Sequence, residues 1–256
     1  MSLSDRELKA FLDEKADLYE RPEFIKEDPI QIPHSFSKKE DIEIIGLLTA
    51  TIAWGQRPTI IKNAFRMAEM MDQSPHDFIL NFERSDLDRT EGFVHRTFNS
   101  TDLQFFMYSL QDIYHKGGLE KVFTAAFKKH QHSAEAIAAF RQEFLSIPHE
   151  KRSEKHISDP LKGSSAKRLN MFLRWMVRSN ERGVDFGHWK DIDPAWLSVP
   201  LDVHTGNMAR KLGLLQRKQN DQKAVQELDA RLRSFDPKDP VKYDMALFGL
   251  GIYEGF

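Results

Sequence analysis

The chain has 256 residues, 40% of them apolar, with 37 Lys and Arg against 39 Asp and Glu, a net charge of −2 and no cysteine. That is enough to bury a full core, while the missing cysteines exclude disulfides, thiol nucleophiles, iron–sulfur clusters and thiolate zinc sites. There is no run of 18 apolar residues, and the start, MSLSDRELKAFLDEK, has neither the basic nor the apolar region of a signal peptide, so a cytoplasmic protein without a membrane span is expected.

Helix signals follow one another along the chain. Ser4-x-x-Glu7 and Ser37-x-x-Glu40 have the form of capping boxes. Ser74-Pro75, Asp193-Pro194 and Asp239-Pro240 each set a cap residue before a proline, whose missing N–H costs nothing at a first helical position. The spacing predicts helices over about 4–19, 41–54, 59–71, 75–83, 101–115, 118–130, 133–146, 165–179, 194–198, 203–213, 221–234 and 240–252. A proline-punctuated link fills 21–36. Residues 41–54 (DIEIIGLLTATIAW) are apolar almost all round, as in a central buried helix, whereas Ile60, Ile61, Ala64, Phe65, Ala68 and Met71 form an amphipathic stripe. Gly117-Gly118, Gly183 and Gly213 are stop signals. No segment keeps a period-two alternation, so no sheet is expected and the fold class is all-α. With no internal repeat and no low-complexity linker, one compact unit is expected.

Charge is uneven. Residues 1–50 hold seven cations against twelve acids, residues 151–182 nine against three, and residues 207–223 five against one. A basic face of this kind suits a phosphate-backbone ligand, and equally a helix that faces plain solvent.

The candidate site lies in the basic stretches, 161–178 (LKGSSAKRLNMFLRWMVR) and 200–215 (PLDVHTGNMARKLGLL). A tight turn of small residues ahead of a helix offers its N–H groups to phosphate; Gly163, Ser164 and Ser165 form such a turn. Behind it, Lys167, Asn170, Arg174 and Arg178 share one helix face and Leu169, Phe172, Leu173, Met176 and Val177 the other, for which a solvated polar face is the simpler account. Asp202 stands just before a helix, where a capping role is worth roughly 1 kcal/mol and is compatible with an ionised functional carboxylate.

The string 161–167 (LKGSSAK) resembles the L-P-G-V-G-x-K hairpin of the helix-hairpin-helix DNA glycosylases: Leu161, Gly163 and Lys167 match, while Lys162 and Ser165 replace the proline and the second glycine. Leu201-Asp202-Val203-His204 is similar to the string that carries that superfamily's carboxylate at a helix cap. Residues 47–56 (LLTATIAWGQ) look like its buried helix running into a glutamine that fills the gap left by an extruded nucleotide; a core helix with a polar loop is the alternative. The 35 residues between Lys167 and Asp202 bring the chain nearest to the archaeal-type oxoguanine glycosylases. More extensively, through 23–34 (EFIKEDPIQIPH), 53–57 (AWGQR) and 199–206 (VPLDVHTG), the chain resembles a family of bacterial proteins without an assigned function.

The glycosylase resemblance implies a two-lobed orthogonal helical bundle, one lobe from about 1–39 plus 195–256 and the other from about 40–194, hairpin included. It implies base excision on a base flipped out of damaged duplex DNA, with Lys167 as Schiff-base nucleophile and Asp202 as its carboxylate partner. DNA contacts would come from Gly163, Ser164, Ser165, Gln56, Arg168, Arg174, Arg210 and His204, with Lys162 and Arg178 adding charge. It implies no metal or other cofactor and a monomer. The alternative is a catalytically inactive helical nucleic-acid-binding or interaction protein. Two weaker motifs compete: Ser164-Ser165-Ala166-Lys167 fits the S-x-x-K of penicillin-recognising acyl enzymes, which needs a neighbouring sheet, and His76-Asp77 echoes a metal-dependent phosphohydrolase, although Asp77 is more simply a first-turn acid.

Overall fold

The computed structural model of the chain describes residues 3–254, and the fold is all-α. Helix α1 (Asp5–Tyr19) begins at the expected capping box, Ser4 receiving the Glu7 N–H and Glu7 reaching back to the Ser4 N–H. The link after it is a series of 3-10 turns, Pro22–Glu27, Pro29–Gln31 and Pro33–Ser35, each opened by a proline. Helix α2 (Lys39–Ile52) buries every residue from Asp41 to Ile52. Its two buried acids are satisfied, Asp41 by the His76 N–H and Glu43 by the Tyr114 hydroxyl, both at 2.7 Å. The second expected capping box does not form: the cap position falls on Lys38, one residue past Ser37, and no side chain bonds there.

There follow α3 (Arg57–Met70), α4 (Pro75–Asn81), a hairpin of β1 (Val94–His95) and β2 (Phe98–Asn99), α5 (Ser100–His115), α6 (Leu119–His130) and α7 (Ser133–Phe144). The hairpin corrects the expectation of no sheet: Val94 pairs with Asn99 and His95 with Phe98, and strands of two residues are too short to leave a period-two pattern. The C-terminal helices are α8 (Lys167–Val177), α9 (Val203–Lys211), α10 (Gln222–Phe235) and α11 (Tyr243–Tyr253). Asp193-Pro194 and Asp239-Pro240 open only the 3-10 turns Pro194–Trp196 and Pro240–Lys242. Among the described residues no helix is long and apolar enough to cross a membrane.

The chain forms two compact units. One comprises Ile25–His130 and Ala136–Ser158. In it α2 packs on α3 and α4, and phenylalanines of β2, α5 and α7 interlock edge to face, Phe106 with Phe98 at 5.2 Å and with Phe144 at 4.8 Å. The other comprises Met1–Phe24, Gln131–Glu135 and Asp159–Phe256. Residues 161–194, which the glycosylase resemblance groups with 40–160, thus share a unit with the C-terminal helices. Arg178, the C-cap residue of α8, ties this segment to the rest of the unit through Glu20 and Asp239, and also bonds Asp185.

In this second unit α11 lies against α1 and α9, burying Leu8, Leu12 and Ala16 with Met208, Ala246 and Leu250. Gly249 is where α11 meets α1: a Cβ there would lie inside the Tyr19 ring. Gly249→Ala should therefore destabilise the protein by about 2 kcal/mol or more, against the roughly 1 kcal/mol gain that alanine offers a helix interior. Urea unfolding measures it; a more stable variant would show that Tyr19 swings aside freely.

Candidate functional site

The turn ahead of Lys167 is built from within. Asp159 caps the 3-10 turn Pro160–Lys162, accepting the Leu161 N–H at 3.1 Å, and Gly163 ends it at φ +94°, a left-handed conformation open to glycine. Ala166 then opens α8 at φ +46°, where a side chain is strained. The element before the turn is thus a 3-10 turn and not an α-helix. Three of the amides around the turn are already used within it: those of Gly163, Ser164 and Ala166 donate to Pro160 O, Asp159 O and Ser164 Oγ.

Asp202 is positioned from the other side. Residues 197–199 are pinned by Arg233, which donates to Leu197 O at 2.6 Å, and by buried Asp229, which accepts the Val199 N–H at 2.9 Å. The chain then enters α9 with Asp202 as its cap, the carboxylate accepting the Thr205 N–H at 2.9 Å.

Residues 220–222 join the two halves. Asn220 donates to Asp202 O at 2.9 Å, Asp221 forms an antiparallel bridge with Ser164, and the Gln222 N–H donates to Gly163 O at 3.0 Å. Gly206 leaves the space that this strap needs, since a Cβ there would stand 2.7 Å from Asn220 Oδ1. Lys167 and Asp202, 35 residues apart, are thereby brought to 3.9 Å, Nζ to Oδ2, with side chains 27% and 20% exposed. Both groups are half-buried and still within reach of a ligand. Val203, which follows Asp202 directly, is exposed, as is Leu161, six residues before Lys167.

The polar face of α8 is not solvated. Asn170, Arg174 and Arg178 are buried. Arg174 bonds Asp244 at 2.5 Å and Asp185 at 3.3 Å; Arg178 bonds Glu20 at 2.6 Å, Asp185 at 2.7 Å and Asp239 at 2.9 Å. Neither arginine is placed to meet phosphate, because two guanidiniums sealed against four carboxylates have no surface left to offer. Arg210 is turned inward too, donating to Arg217 O and Asn220 Oδ1. Arg168 is half-buried, and its desolvation pulls its pKa below the usual arginine range. Of the expected contacts in this unit, Gly163, Lys162 and His204 are exposed and Ser164 and Ser165 half-buried. Gln56 is exposed at the cap of α3 in the other unit.

Asp244, not singled out from the sequence, completes the group. Burial is the main reason that its carboxyl is pushed up to about 6, opposed by Arg174 and Lys167 and reinforced by the charge of Asp202. It also receives the Thr205 hydroxyl at 3.4 Å. The sequence carries no signal for this network: Arg174 and Arg178, four residues apart, have the spacing of any amphipathic helix.

The competing motifs find no support. Ser164 and Lys167 have only an isolated bridge beside them, and the one sheet among the described residues is the 94–99 hairpin. His76 bonds Lys38 through Nδ1 at 2.8 Å, and among the described residues no group of three His, Cys, Asp or Glu is placed to hold a metal ion.

Residues 28–253 match the family described as Protein of unknown function (DUF2400). No curated protein and no solved structure matches the chain.

The raised Asp244 carboxyl has a consequence for stability. Between about pH 4 and 6 the folded state holds a proton that the unfolded chain, titrating near 3.8, releases, so this group's contribution is complete below pH 4 and is lost as pH rises through 6. The loss is worth up to about 3 kcal/mol. Urea unfolding across this range should show the wild type losing stability relative to Asp244→Asn as pH rises from 4 to 6; identical slopes would place the titration elsewhere.

Proposed function

The chain belongs to the DUF2400 family, and we propose that it excises damaged bases from duplex DNA as a glycosylase of the helix-hairpin-helix type, with Schiff-base lyase chemistry at Lys167. The observation that carries this reading is the convergence of Lys167 and Asp202 at the N-termini of α8 and α9. An amine nucleophile and a carboxylate are the two groups such chemistry needs, and here they are reachable from solvent.

A base is flipped out of the stack. Lys167, once its ammonium proton has passed to Asp202, forms a bond to C1′ of the deoxyribose while the bond from C1′ to the base breaks, the base leaving with the electron pair and then taking a proton. Asp202 faces the sugar as positive charge develops on it and accepts and returns protons. Loss of the nitrogen's proton and opening of the bond from C1′ to the ring oxygen produce an imine, and removal of a C2′ proton then expels the 3′ phosphate. The sugar must displace the direct contact between Lys167 and Asp202, which the four rotatable bonds of lysine allow.

The same contact favours a second reading, a catalytically inactive nucleic-acid-binding protein, because a closed ion pair fills the place of the sugar. Borohydride trapping on duplexes carrying single defined lesions separates the two. A covalent adduct is expected on at least one lesion, absent in Lys167→Ala and formed about 10²–10⁴ times more slowly in Asp202→Asn. An adduct that persists in Lys167→Ala would remove the assignment, and no adduct on any lesion would leave the inactive reading.

A further inference from the structure

The unit made of Ile25–His130 and Ala136–Ser158 carries a basic surface of its own. Residues 44–68 and 92–101 contain no Asp or Glu, while they hold Arg57, Lys62, Arg66 and Arg96. The structure brings these segments together. His95, buried at the base of the hairpin, bonds Trp54 O through Nε2 at 3.1 Å and the Asn63 amide through Nδ1 at 2.9 Å, which clamps β1 and β2 onto the loop between α2 and α3 and onto α3 itself. The guanidinium of Arg96 then lies over the Trp54 ring at 4.7 Å and that of Arg66 over the Phe93 ring at 5.5 Å. Lys62, exposed, is one helical turn before Arg66 on the same face of α3.

Lys62, Arg66 and Arg96 have no carboxylate partner among the described residues, in contrast to Arg174 and Arg178. The nearest acids along the chain are Glu69, three residues beyond Arg66, and Glu91 ahead of the hairpin. The Trp54 Nε1–H is buried without an acceptor, a further uncompensated positive edge. Arg96 holds φ +56° in the turn, a strained value for a residue with a side chain, and it presents its cation from the tip of the hairpin. Gly55 at φ +107° leaves room for that side chain: a Cβ would stand 3.2 Å from Arg96 Cδ.

We propose that this surface, Arg96 on Trp54 with Lys62 and Arg66 beside it, is a second nucleic-acid contact, binding the phosphate backbone through its three unneutralised cations and a base face through the stacked arginine. Uncompensated cations recruit a polyanion by counterion release, and an arginine laid on an indole is a platform on which a base stacks. The apolar residues exposed near it, Val94 and Phe65, are too few for insertion into a lipid surface. The choice of nucleic acid over other polyanions rests on the DNA reading above, whereas the surface needs neither Lys167 nor Asp202.

Fluorescence anisotropy with a labelled oligonucleotide, single-stranded and as its duplex, tests it on the full chain. The triple variant Lys62→Glu, Arg66→Glu, Arg96→Glu should bind at least about tenfold more weakly at low salt and lose about three from the slope of log K against log salt. Lys129→Glu, Lys218→Glu, Lys223→Glu, with the same change in net charge on other exposed positions, should keep most of the affinity. Arg96→Gln, which leaves the other cations in place, should weaken binding roughly tenfold if its stack on Trp54 meets a base. Circular dichroism checks that each variant is folded. Equal losses in the two triple variants, or binding of the wild type to anionic vesicles and not to either oligonucleotide, would overturn the proposal. Trapping through Lys167 is read separately: no adduct, with oligonucleotide binding that still depends on Arg96, would end the glycosylase reading and leave this one standing.

Discussion

Arg174 and Arg178, buried side by side on α8 against Asp185, Asp239, Asp244 and Glu20, are the constraint on which the C-terminal unit depends. A charge taken out of water costs several kcal/mol and is tolerated only when partners surround it. Those partners come from the end of α1, the loop after α8, the turn before α11 and α11 itself, so the network forms only when all four segments are in place. Loss of one arginine would strand buried carboxylates, at a typical cost of about 3–5 kcal/mol. Asp244 is the member of the network whose carboxyl burial pushes up, with the charge of Asp202 adding to it and Arg174 opposing.

That network reaches the candidate site through Asp244. One of its oxygens takes Arg174 and the other takes Thr205, whose own N–H is capped by Asp202. The position of Asp202 is therefore tied to the core by two successive hydrogen bonds, and by a second path through Asn220, whose amide holds the Asp202 carbonyl. Lys167 is set differently, at the open end of a helix whose next polar residues on the same face point inward. Its flexible stem is the movable member of the pair, and the capped carboxylate is the rigid one. An arrangement with one fixed and one mobile group suits a site in which a ligand must come between them.

The two units use positive charge in opposite ways. In the C-terminal unit the arginines of α8 hold structure and are spent inside it, so a count of basic residues along 151–182 overstates what the surface offers. In the other unit the charge is lower along the sequence, yet Lys62, Arg66 and Arg96 remain uncompensated where the hairpin folds onto α3. Net charge by segment is a statement about composition, and only burial and pairing decide which charges a partner can meet.

Much of the local structure was legible in the residues themselves. The Ser4 and Glu7 box, the apolar run read over 41–54 and helical over Lys39–Ile52, and the position of Asp202 ahead of α9 all depend on neighbours within a few residues. Lys167 and Asp202 could be paired because short motifs resembled a known pattern. What the sequence could not convey is everything that depends on residues far apart: the burial of Arg174 and Arg178, the place of Asp244, the strap of Asn220, Asp221 and Gln222. A two-residue strand leaves no period, and a buried arginine has the same helical spacing as a solvated one. Periodicity reports which side chains share a face; which face is turned to water is decided by the segments that pack on it, through contacts that no local pattern encodes.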